Sequence, residues 1–113
     1  MAFSAKQLKR YYNDYNTRWF GGHLPTNTEV WWEPVDGAIA IVDVDGCGLS
    51  FDETSDTFMI RINPAIAWSS RQTRMAVLHE MAHMAIYPSM GHGVKFQKTM
   101  QLLARAGALA TLW

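Results

Sequence analysis

From Ser69 to Tyr87 the chain runs without a glycine or proline, and it then meets Pro88 and Gly91. A stretch that long, rich in Ala, Leu and Met and free of breakers, exceeds what a strand takes and predicts a helix. Ser69 or Ser70 can cap its start. Pro88 disfavours helical backbone in the residue before it, so the helix stops at about Tyr87. Ser89-Met90-Gly91 is then a tight connection, and a last helix is predicted from about His92 to Ala106. Phe96, Met100, Leu103 and Ala104 would face inward, and Gly107 is the C-terminal stop. A reversal this short makes the last helix fold back beside the one before it. Everything upstream has to pack around that pair.

The upstream half opens with another helix, predicted from Ser4 to Phe20. Ser4 and Gln7 have the spacing of a capping box. Leu8, Tyr12, Tyr15 and Trp19 recur at helical intervals and share one face. Gly21-Gly22 ends the helix and Pro25 follows. The middle of the chain reads as extended. Val30, Trp31 and Trp32 favour a strand within Thr28 to Glu33, and Ile39, Ile41 and Val42 favour another within Gly37 to Asp45. Asp45-Gly46 is a turn signal. Leu49 to Phe51 is short enough for one more strand. Phe58, Ile60 and Ile62 alternate with Met59, Arg61 and Asn63, the period of a half-buried strand. The expected fold is α+β: an N-terminal helix, a small and mostly antiparallel sheet of three or four strands, then two helices. A length of 113 residues suits one domain over 1–113.

Lys plus Arg and Asp plus Glu are equal at 10 each. A neutral chain gives no electrostatic case for strong nucleic-acid or membrane-surface binding. Lys6 with Lys9 and Arg10, Arg71 with Arg74, and Lys95 with Lys98 are local basic pairings, read first as solvated helix faces. The single cysteine, Cys47, excludes an internal disulfide and a cysteine-rich zinc site. No apolar run reaches the length of a membrane-spanning helix, and no leader-like segment opens the chain. The expectation is a cytoplasmic monomer with no membrane partner.

The predicted helix before Pro88 carries His79-Glu80-Met81-Ala82-His83, an H-E-x-x-H pattern. Side chains four apart on a helix lie one above the other, so His79 and His83 can chelate one Zn²⁺. Glu80, rotated by about 100° from His79, is near the ion without having to be a ligand. There it can take a proton from the attacking water and pass it to a leaving amine. That is the chemistry of a zinc metallopeptidase, a hydrolase acting on protein or peptide, built as a minimal zincin-like domain.

A catalytic zinc commonly has a third protein ligand. No Asp or Glu follows Glu80, which excludes a downstream carboxylate. The metzincin extension would need a glycine and a histidine where this chain has Ile86 and Ser89. His92, just past the reversal, is the better placed of the remaining histidines. His23 is the alternative, read more simply as a loop residue after the first helix. Tyr87 and Arg74 lie close to the motif in sequence, but nothing assigns either to the stabilisation of an oxyanion.

His79-Glu80-Met81-Ala82-His83 followed by Gly91-His92-Gly93-Val94-Lys95-Phe96 resembles the SprT-like family, which includes the Spartan proteases. The early run from Tyr15 to Pro25 resembles that family's opening helix, with its aromatic, small residue and Leu-Pro ending. The order of helix, sheet and two helices is similar as well. The resemblance implies that His79, His83 and His92 are zinc ligands and Glu80 is the catalytic residue. It also implies a metalloendopeptidase, with proteins associated with DNA as one substrate class. No zinc ribbon or DNA-binding tail is found in these residues, so a minimal form is expected. The rival expectation is a zinc-containing SprT-like binding module that recruits DNA or protein and cleaves little.

Asp43-Val44-Asp45-Gly46-Cys47-Gly48 fits only part of a calcium loop. Cys47 stands where that loop needs an oxygen ligand and Thr54 where it needs a bidentate Glu, so a hairpin turn is the better reading. Met75, Met81, Met84, Met90 and Met100 gather around the motif as adaptable core packing.

Overall fold

The computed structural model describes residues 4–32, 47–52, 54–62, 70–87, 89 and 92–109. Ser4 opens α1 (Ala5–Trp19) with both halves of the capping box. Its hydroxyl accepts from the Gln7 amide at 3.2 Å, and the Gln7 side chain accepts from the Ser4 amide at 2.9 Å. Two of the helix's orphan donors are thereby satisfied. Leu8, Tyr12 and Tyr15 are buried along the predicted face, and Trp19 packs at its margin. Gly21 and Gly22 adopt φ of 62° and 73°, the left-handed region that lets the chain turn off the helix.

The sheet consists, among the described residues, of β1 (Glu29–Trp32), β2 (Cys47–Asp52) and β3 (Thr57–Ile62), in the order β1-β3-β2. β2 and β3 form an antiparallel hairpin with Cys47 opposite Ile62 and Asp52 opposite Thr57. β1 lies on the other side of β3 and runs parallel to it, Glu29 beside Met59 and Trp32 beside Ile62. The α+β class is as expected, but "mostly antiparallel" does not describe this sheet. Hairpin pairing is forced by a short turn, whereas residues 33–56 between β1 and β3 are long enough for the crossover that a parallel pair needs. The strand expected over 37–45 and the turn at Asp45-Gly46 lie outside the described residues.

β3 buries Phe58, Ile60 and Ile62 and leaves Met59 and Arg61 half-buried, the predicted alternation. Both tryptophans of β1 are half-buried, and Trp32 packs against the core. α2 (Ser70–Ala85) lies across β2 and β3 and touches both other helices. Val77, Leu78, Met81, Ala82 and Met84 are all buried, a spread wider than one stripe, because neighbours cover α2 on several sides. α3 (Val94–Ala106) starts after an N-cap at Gly93 and ends at Gly107, whose φ is 98°. Phe96 and Leu103 are buried and Met100 is partly so. Ala104, expected inward, is exposed. Ala108, beyond the left-handed glycine, fills the core position in its place.

Candidate metal centre

His79 and His83 sit one turn apart on α2, half-buried. His92 precedes the N-cap of α3 and does not belong to its first turn. Its carbonyl accepts from Gln97 Nε2 at 3.0 Å, which ties the segment ahead of α3 to the helix it enters. The α2–α3 reversal thus delivers a third imidazole to the two already on α2.

The three Nε2 atoms form a nearly equilateral triangle. His79 to His83 is 3.2 Å, His83 to His92 is 3.2 Å and His92 to His79 is 3.1 Å. Hydrogen bonding among them cannot account for this. Each Nε2 is either a donor or an acceptor, so two of any three are alike and face each other unfavourably. A shared cation satisfies all three lone pairs at once. Zinc–nitrogen bonds of about 2.0–2.1 Å in tetrahedral geometry require nitrogens about 3.3–3.4 Å apart, close to what is found. These three imidazoles can therefore hold a metal ion, and their donor set fits zinc.

Glu80 is 3% exposed, and its Oε2 lies 3.9 Å from His79 Nε2. A carboxylate kept beside the imidazoles at that distance stands near the centre without replacing a ligand.

A residue expected only to face inward from the last helix completes the cluster. Phe96, 7% exposed, lies against all three imidazoles. Its ring stacks on His83 at 4.3 Å between centroids with planes 25° apart. It meets His92 edge-on at 4.8 Å and 90°, and His79 at 5.0 Å and 58°. The available signal was its place in the first turn of α3, close in sequence to His92.

His23 is exposed in the loop after α1, its amide bonded to the Phe20 carbonyl at 3.1 Å, and it is not part of the three-imidazole cluster. Tyr87 packs edge-on against Phe58 at 5.0 Å, and Arg74 Nε turns back to the Ser70 carbonyl at 3.3 Å. Lys9 belongs to the fold. Its ammonium donates to the carbonyls of Thr26, at 2.9 Å, and of Thr28. Burial holds its pKa below the usual lysine value, opposed by the nearby charge of Glu29. An open groove of about 500 Å³ runs beside Lys9 and β1, lined by Thr26 to Trp31, and none of the three imidazoles borders it. No helix among the described residues is long and apolar enough to cross a membrane.

No family model, no curated protein and no solved structure matches this chain.

Proposed function

We propose that this chain is a zinc-dependent metalloendopeptidase of the SprT-like, minimal zincin type, with His79, His83 and His92 as ligands and Glu80 as general base. The observation that carries the reading is the triangle of Nε2 atoms 3.1–3.2 Å on a side with a buried carboxylate beside it. The sequence resemblance to SprT-like proteins points the same way.

A zinc ion held by His79, His83 and His92 would supply a Lewis acid that polarises a carbonyl and lowers the pKa of water to about 7. Glu80 accepts a proton from the attacking water as its oxygen bonds to the scissile carbon. It then returns that proton to the amide nitrogen as the carbon–nitrogen bond breaks, releasing an acid and an amine. An extended peptide has a natural seat along an edge strand, where backbone groups can pair with it. Among the described residues β2 stands at an edge of the sheet, and it packs against α2.

The test is cleavage of casein by wild type, by Glu80→Gln and by wild type with a chelator. Glu80→Gln is expected to keep its zinc and lose activity by about 10²–10⁴-fold, and chelation is expected to abolish cleavage reversibly. Equal cleavage by wild type and Glu80→Gln would contradict the reading.

One observation favours the second reading, a zinc-containing module recruited to DNA. Lys95, Lys98 and Arg105 are exposed on α3 at helical spacing, with no acidic residue anywhere after Glu80. On that reading the domain binds single-stranded DNA with an affinity that falls steeply as salt is raised. Absence of binding near physiological salt would remove it.

A further inference from the structure

The metal reading leaves open what holds three imidazoles from two helices at one orientation. Histidine ligands are commonly fixed through their second ring nitrogen, by a carboxylate or a carbonyl. Here all three rings also share one aromatic neighbour.

We propose that Phe96 is a positioning residue for the metal centre, a single flat floor that sets the tilt of all three ligand rings. The inference rests on the zinc reading above. Its ground is that one buried ring meets three imidazoles in three different ways: stacked on His83, edge-on to His92 and inclined to His79. Aromatic pairs have preferred geometries, so each contact restrains a ring torsion as well as filling space. Phe96 stands in the first turn of α3, a few residues from His92 and on the same segment. Two of the rings it touches are on α2. One side chain therefore registers the ligand ahead of α3 against both ligands on α2. It also closes one side of the triangle with carbon, which leaves substrate and water to approach from elsewhere. A leucine there would preserve apolar volume but would have no flat face to stack or to receive an edge.

The experiment compares zinc affinity, by competition with a chromophoric chelator, and the cobalt(II) absorption spectrum in wild type, Phe96→Leu and a control. The control is Leu103→Ala, or the milder Leu103→Val, whichever matches Phe96→Leu in the melting temperature of the metal-free protein. Leu103 is also buried on α3 but is aliphatic, with no ring to set against the imidazoles. All measurements are made where each protein is folded. Phe96→Leu is expected to bind zinc about 10–100-fold more weakly and to shift the cobalt bands, while the control stays close to wild type in both. Wild-type affinity and spectrum in Phe96→Leu would overturn the proposal, as would equal weakening in the control, which would reduce Phe96 to general helix docking. A wild type that takes up no zinc would overturn the metal reading as well, so the two failures are distinguishable.

Discussion

Asn16 holds both backbone groups of Leu24. Its Nδ2 donates to the Leu24 carbonyl at 2.9 Å, and its Oδ1 accepts from the Leu24 amide at 3.0 Å. Its own carbonyl receives the amides of Phe20 and Gly22 at 3.2 and 2.8 Å. The residue is buried, so neither Leu24 group has water to fall back on. Asn16→Ala leaves both unsatisfied and is expected to cost about 2–3 kcal/mol, read as a lower denaturation midpoint at unchanged slope; a loss below half of that would mean the loop finds other partners. Nothing in the sequence announces this role, because the partners of Asn16 are backbone atoms whose positions depend on the turn between. The three clustered histidines were different. His79 and His83 were legible because four residues on a helix translate directly into one shared face. His92 was legible because ligand counting left few candidates. Phe96 was visible as a core residue and unreadable as a neighbour of all three rings, since that depends on how α3 docks.

At the scale of elements, caps and stops were the readable part. Ser4 with Gln7, and the stop at Gly107, are local chemistry, and local chemistry is written in adjacent residues. Gly107 adopts φ of 98° with open space where a Cβ would point. Gly107→Ala therefore meets strain without a clash and is expected to destabilise by about 1–2 kcal/mol. Thermal melting measures this, and an unchanged melting temperature would mean the turn relaxes freely. Sheet topology was less legible. The alternation in β3 named its buried face correctly, and a short turn dictated its antiparallel partner. Which strand lies on its far side depends on long-range packing. β1 packs with α1, and Asn27 at its approach reaches across at 3.3 Å to the Asp56 carbonyl beside β3. Those contacts have no signature in the residues of β1 itself.

Across the whole molecule, the three clustered imidazoles link α2 to α3. α2 is surrounded by α1, α3, β2 and β3, whereas α3 rests on α2 with a largely exposed outer face. An ion shared by His79, His83 and His92 would bridge precursor and follower of the α2–α3 reversal. Because it would bind only the folded arrangement, saturation at 100 times Kd adds about 2.7 kcal/mol to stability. On the proposed function, catalysis and stability would then depend on the same three side chains, with Glu80 supplying the base. The most direct measurement is zinc counted per chain, together with melting temperature, for wild type and His92→Ala. One zinc per wild-type chain is expected, with a melting temperature that rises when zinc is restored. His92→Ala should retain its fold and lose both the tightly held ion and the rise. Full zinc occupancy and an undiminished rise in His92→Ala, or no zinc in the wild type, would contradict a three-histidine centre.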